Sequence, residues 1–456
     1  MVRRHVLVTV TAVGALTLSA CAGVGSKEDD SGSSSSGGTS GKPSGALSIM
    51  GFGGEDEVGQ SRVSAFEKAY PDVKVTHPKG DFDAQQFLTA LSSGNPPDLV
   101  YMSRNLIGTY AAQGAVVPLT DCIKDQEIDT GQYREAALRS VTLQDKVYGI
   151  PEFYVVTANL IDAKSLKAAG VDPEAIQTKD WPALEKTATS LFKRSGNKLQ
   201  RVGYDPKLPD SFPLWALANG AELVKEDGAP NLADPKAVEA LDFAVKLVEE
   251  QGGWTNFKAF RDSFDIFGDK NPLTTGTITA FPMENWYVNV LLDSRAAGLQ
   301  LAATPVTDRS GNPVSSLGGS TWAIPKGAKN QTAACAWMKT MTSTDTWMKA
   351  AEARGAKVAA DKGIFTGLFT ANTAADEQIR AKFVKEGTDP GFDQAVSTFY
   401  STLDKAKGLN PSPAGAEIDA AWKSGVARAL AGTPAQQALA QAQKEAQAAF
   451  DKASRG

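Results

Sequence analysis

The chain has 456 residues, 42% of them hydrophobic and 22% charged, which is enough apolar content for a sizeable core and more length than one ordinary domain needs. With Lys+Arg at 47 and Asp+Glu at 52, the formal net charge of −5 gives no basic footprint for a phosphate backbone or an anionic membrane surface, so no nucleic-acid partner is expected. Two histidines (His5, His77) and three cysteines (Cys21, Cys122, Cys335) are too few for a His/Cys metal centre or a disulfide-rich scaffold, and neither metal nor cofactor is expected.

Arg3 and Arg4 precede an apolar stretch over residues 6–18 that is too short to span a bilayer, so residues 1–20 read as a signal peptide. The stretch ends in Leu18-Ser19-Ala20-Cys21, which resembles the lipobox of bacterial lipoproteins. That likeness implies an acylated, palmitate-bearing Cys21 as first residue of the mature chain, held to the cell membrane by lipid on its extracytoplasmic face. The other reading is a plain signal peptide with an incidental cysteine. Cleavage after Ala20 removes Arg3 and Arg4 and takes the net charge from −5 to −7. Residues 22–45 then hold eight serines, seven glycines and the run Glu28-Asp29-Asp30, so residues 21–45 read as a flexible solvated tether. No second stretch of about 18 apolar residues follows, so lipid is the expected attachment.

The fold is expected to start at Ala46. Leu47-Ser48-Ile49-Met50 is a short apolar run broken at Gly51, and Val63, Phe66 and Tyr70 then fall at helical spacing before Pro71. Val73 and Val75 alternate like a strand, residues 83–93 read as a helix, Gly94-Asn95-Pro96-Pro97-Asp98 is a loop, and residues 99–102 form another apolar run. Alternating strands and helices argue for an α/β architecture with a largely parallel sheet. Farther on, Asp234-Pro235 starts a helix carrying Leu241, Val245 and Val248 and stopped by Gly252-Gly253. Residues 277–281, 299–306 and 321–325 read as short strands, and Thr433-Pro434-Ala435-Gln436 reads as a capping box opening an alanine-rich helix toward Phe450.

Four segments, in order, resemble the family 1 extracellular solute-binding proteins of ABC importers, the group that includes maltose-binding protein. They are residues 91–100 with Tyr110-Ala111-Ala112-Gln113-Gly114 and Pro118-Leu119; Val147-Tyr148-Gly149-Ile150-Pro151; Ala280-Phe281-Pro282-Met283-Glu284-Asn285-Trp286; and residues 318–326 running on to Ser343. The Tyr-Tyr-Asn that usually follows the second segment is replaced around Val156-Thr157-Ala158-Asn159. The resemblance implies a two-lobed periplasmic-binding-protein-like fold, each lobe a sheet flanked by helices, with crossover strands as a hinge. Residues 46–154 plus 304–345 would form one lobe, and 155–303 plus 346–456 the other.

A sugar presents hydroxyls to carboxylates and amides and flat C–H faces to aromatic rings, so an acidic and aromatic lining is expected. The resemblance places Trp286 facing the solute, beside Glu284, with a core tryptophan as the other reading. The loop after the first strand offers Phe52, Glu55 and Asp56, or else is a solvated lead into a helix whose first turn favours acids. Asn105, with Arg104 beside it, stands where the family places a hydroxyl-binding side chain. Glu152, Phe153 and Tyr154 follow the expected crossover. Gly318, Gly319 and Ser320 would let backbone approach a solute closely, Trp322 stacks on it or belongs to the core, and Trp254 could cap the cleft from the second lobe. Trp181, Trp337, Trp347 and Trp422 sit in helical patterns and read as packing residues. Sequence alone does not bring Cys122 and Cys335 within bonding distance.

The expectation is therefore a non-enzymatic, monomeric binding component that captures a sugar or oligosaccharide and passes it to the membrane permease of an ABC transporter. The alternatives are a secreted glycoside-acting hydrolase using a carboxylate pair, and a binder of a polyamine or other non-sugar solute.

Overall fold

The computed structural model describes residues 39–268 and 270–455. The expected signal peptide, Cys21 and most of the expected tether lie outside the described residues. Ten strands build two sheets: β1 (Gly45–Met50), β2 (Val73–Thr76), β3 (Leu99–Ser103), β4 (Ile150–Pro151), β5 (Thr157–Asp162), β6 (Lys193–Ser195), β7 (Lys198–Tyr204), β8 (Ile278–Glu284), β9 (Leu301–Pro305) and β10 (Ser320–Ala323). The first has the order β2-β1-β3-β10-β4, the second β9-β5-β8-β7-β6, each flanked by helices. The chain thus crosses from one sheet to the other over residues 152–156 and returns over 306–319.

The expected largely parallel sheet is corrected to two mixed ones. β1 runs parallel to β2 and β3, but β10 is antiparallel to both β3 and β4, and β5 is antiparallel to β8 and β9. In the first sheet the physical reason is the crossover: the chain returns from the other lobe at the end where β3 finishes, with Ser320 opposite Ser103, so β10 runs the other way.

The first lobe follows its sequence signals. Asp56 caps the helix Glu57–Ala69, accepting from Gly59 N at 2.7 Å, and that helix buries Val58, Arg62 and Phe66 against the sheet. The loop at Asn95-Pro96-Pro97-Asp98 is fixed by Asp98: one carboxylate oxygen accepts from Ser48 N and Oγ at 2.9 and 2.8 Å, the other from Lys329 N and Asn330 N at 3.0 and 2.9 Å. One buried side chain thereby joins three chain segments. Residues 39–45, expected as the end of the tether, lie on this lobe. Thr39 is buried and donates to Asp125 at 2.6 Å, and the Ser44 carbonyl accepts from Asn330 at 2.8 Å. The helix Thr344–Ala360, expected in the second lobe, packs on Glu57–Ala69: Arg62 stacks over Trp347 at 4.3 Å, and Arg354 pairs with Asp56 and Glu57. Cys122 and Cys335, 5.6 Å apart at Cα, form a disulfide.

In the second lobe, β5 is buried along its whole length. The helix Pro235–Glu250 starts as expected, with Asp234 accepting from Lys236 N at 2.8 Å. The expected capping box at Thr433 does not form. Pro434 is the cap residue of the helix Ala435–Ala453, because the Thr433 N–H already bonds Arg428 O at 3.0 Å and closes the preceding helix, Gly415–Leu430. Among the described residues no helix is long and apolar enough to cross a membrane, and no group of three or more His, Cys, Asp or Glu side chains is placed to hold a metal ion.

Candidate functional site

The edge of the first sheet and the loops of the second enclose a cavity of about 710 Å³, within the roughly 300–1,000 Å³ typical of small-molecule sites. Ser103 at the end of β3, with Arg104, Asn105 and Gly108 after it, forms one wall with Arg139 and Ser140. Asp210, Pro213, Leu214, Leu217, Glu222, Leu223 and Glu226 form the facing wall. The returning crossover, residues 316–319, and the segment 407–412 also line it, and the helix Gly415–Leu430 contributes Ile418, Asp419 and Trp422.

Glycine permits two close approaches here. A Cβ on Gly108 would overlap the Ser412 carbonyl, and Ala416 N donates to Thr109 Oγ1 at 2.9 Å, so segment 412–416 lies directly on the first lobe. Gly319 has φ +128°, and a Cβ there would overlap the Phe153 carbonyl and come within 2.7 Å of Arg104 Nη2.

Arg104 is 3% exposed. Its guanidinium donates through Nη2 to Gly318 O and lies 5.4 Å from the Tyr154 ring centroid, but Nη1 is buried with no hydrogen-bond partner. Burial lowers its pKa from 12.5 to about 10, with the Tyr154 and Tyr101 hydroxyls pulling the other way. Asn105 beside it is exposed at the cavity wall.

Of the other candidate solute-contacting residues of the sequence, Gly318 and Gly319 line the cavity as well. Phe52 is buried, 5.1 Å from Trp322 and 5.6 Å from Tyr101 between ring centroids, so it packs the first lobe's core. Trp322 and Glu152 are fully buried: Trp322 Nε1 donates to Glu152, Tyr101 donates to it at 3.2 Å, and Arg62 pairs with it at 2.8 Å. Burial pushes the Glu152 carboxyl up from its usual range, while Arg62 pulls it back. Tyr154, 1% exposed, lies between Arg104 and Arg134. Phe52, Glu152, Tyr154 and Trp322 thus have interior partners and do not line the cavity. Glu55 is exposed and pairs with Lys79, while Asp56 is a helix cap. Ser320 and Trp254 are half-buried, the latter 5.4 Å from Arg261.

Glu284 ends β8 and Trp286 follows it. Glu284 pairs with Lys207 at 3.0 Å, and Trp286, 39% exposed, stacks on the more exposed Phe267 with centroids 6.1 Å apart. Between them Asn285 ties the turn to the first crossover: its N donates to Val156 O at 2.9 Å, and its Oδ1 accepts from Val156 N at 3.1 Å. The aliphatic wall at 213–224 carried no motif. Trp422, read as a packing residue, does pack, yet it also lines the cavity.

The sequence model of the family described as bacterial extracellular solute-binding protein matches residues 61–382. Among curated proteins, the chain is 21% identical over 276 residues to the arabinooligosaccharide-binding protein of Bacillus subtilis, covering 59% of this chain and 62% of that one. It is 26% identical over 257 residues to the diacetylchitobiose binding protein of Streptomyces coelicolor, covering 53% and 56%. The chain thus spans about three-fifths of the length of these relatives. Among solved structures, a mannotriose-bound protein superimposes with TM-score 0.70 at 24% identity, covering 88% of this chain and 99% of that one. The GacH receptor of Streptomyces glaucescens, solved with acarbose, gives TM-score 0.67 at 20% identity, covering 90% and 99%. These likenesses carry the two-lobed fold, and the match over residues 61–382 carries the family: the chain belongs to the bacterial extracellular solute-binding proteins.

Proposed function

We propose that this chain is the sugar-binding component of an ABC importer, taking a sugar or oligosaccharide between its lobes and delivering it to membrane permease subunits without cleaving it. The observation that carries the reading is the cavity of about 710 Å³, whose walls come from both lobes and hold hydroxyl, amide, guanidinium and carboxylate groups over aliphatic surface. The arabinooligosaccharide, diacetylchitobiose and mannotriose named for its relatives support a saccharide as the solute. In this reading Asn105, Gly319, Asp210 and Glu222 meet the solute, the exposed Trp286 with Glu284 extends the contact surface, and segments 152–156 and 306–319 act as the hinge. The chain works as a monomer lipid-anchored through Cys21 on the extracytoplasmic face.

The test is tryptophan fluorescence and thermal unfolding of the chain against a panel of mono- and oligosaccharides and polyamines. A ligand at about 100 times its dissociation constant raises stability by about 2.7 kcal/mol. A sugar that shifts both signals and is recovered intact supports the reading. A sugar recovered cut makes the protein a hydrolase, and a polyamine shifting the signals where no sugar does changes the solute class.

A further inference from the structure

The guanidiniums and the carboxylates of the cavity stand on different walls, with Lys407 a further cation on the segment 407–412. The wall after β3 presents Ser103, Arg104, Asn105, Arg139 and Ser140, which hold two guanidiniums, one amide and two hydroxyls and no carboxylate. The five acids of the lining, Asp210, Glu222, Glu226, Asp308 and Asp419, all come from chain segments beyond the first crossover. Among the described residues neither Arg104 nor Arg139 forms an ion pair.

A guanidinium can donate five hydrogen bonds and cannot shed its charge in ordinary conditions, so it is rarely buried without an anion. Arg104 is an exception: at 3% exposure it has one carbonyl partner and a tyrosine ring, and its Nη1 has none. A neutral hydroxyl would satisfy the missing bond but leave the charge without a counterion. A carboxylate would supply both. Arg139, exposed on the same wall, adds positive potential there, while the opposite carboxylates can accept hydroxyl protons. Gly318 and Gly319, which have no side chains, line the cavity next to Arg104.

We propose that the saccharide taken into this cavity is acidic, carrying a uronic-acid carboxylate that Arg104 receives. The inference rests on the reading of the cavity as a saccharide site and narrows it to one substrate class.

Matched pairs of di- and trisaccharides, each supplied as the uronate and as its carboxyl-reduced neutral counterpart, test it by calorimetry on the full chain. The expected result is a pair whose uronate member binds about tenfold to a hundredfold tighter, in line with a hydrogen bond to a charged group. Arg104→Gln then brings that ratio close to one. Because Arg104 is buried, Arg139→Gln serves as a second variant: it lowers uronate affinity about twofold to fivefold and the effect fades in added salt, as for an exposed charge. Equal affinity for both members, or preference for the neutral one, overturns the acidic-solute inference and leaves the sugar-binding function standing. Binding of no saccharide of either kind overturns both.

Discussion

Replacing Arg62 by Met breaks a charge pair in the driest part of the first lobe. The Arg62 and Glu152 side chains are 2% and 0% exposed and meet at 2.8 Å, and Glu152 keeps only Tyr101 Oη and Trp322 Nε1 when the guanidinium is gone. Removing one partner of a buried pair strands the other charge, which costs about 3–5 kcal/mol, whereas replacing both partners is often near neutral. R62M should therefore lose about 3–5 kcal/mol, and R62M/E152Q should regain about 2–3 kcal/mol of it, since a glutamine oxygen still accepts from Tyr101 and Trp322. The sign of the pH dependence follows. Burial already raises the Glu152 pKa, and losing Arg62 raises it further, so the folded state binds the proton more tightly than the unfolded chain. The R62M deficit thus shrinks as pH falls from about 8 to about 5. Urea titrations followed by tryptophan fluorescence measure all three quantities. An R62M loss below about 1 kcal/mol, or a double variant no more stable than R62M, refutes the account of this pair as a stranded-charge problem.

Asp376 accepts from Arg134 at 3.0 Å and from Thr370 N at 2.7 Å, and burial raises its pKa from 3.8 to about 6. Its contribution is fully present below its unfolded pKa and is lost as pH rises through about 6. The stability of the wild type relative to D376N should therefore fall by about 2–2.5 kcal/mol between about pH 4 and pH 7, which urea titrations at each pH will show. The Cys122–Cys335 bond spans 213 residues of chain, so reduction should lower stability by about 2–5 kcal/mol, read as a drop in melting temperature with reductant. G319A, at φ +128° against the Phe153 carbonyl, should cost about 2 kcal/mol or more and displace Arg104, which thermal unfolding and solute titration will report together.

The elements that the sequence announced are those with local causes. Asp56, Asp83 and Asp234 cap helices because a short carboxylate satisfies the first N–H groups, and Pro235 fits the first turn. The expected lobe division, with changes after residues 154, 303 and 345, followed from the family resemblance. Side-chain direction did not. A residue just past a strand end is placed at the sheet's edge, but Phe52 and Glu152 there, like Trp322 within β10, turn inward to one another and to Arg62, contacts between residues far apart in sequence. The far wall of the cavity was silent for the opposite reason: Pro213, Leu214 and Leu217 look like any helix face until a second wall stands across from them. Arg104 was in view as a charge beside Asn105, and only its burial without a counterion gave it meaning.

The position of β10 orders events in time. It is an inner strand of the first sheet, between β3 and β4, yet it is made of residues 320–323, after the whole of the second sheet, residues 157–305. A chain emerging from its N-terminus can complete the second sheet while the first still lacks the strand that covers the edge of β3, an edge open to unwanted pairing. Asp98 meets the same delay, since Lys329 and Asn330 arrive last to its carboxylate. The sheet that begins first is thus the second to be completed, while both lobes still await the helices beyond residue 343 that pack on them.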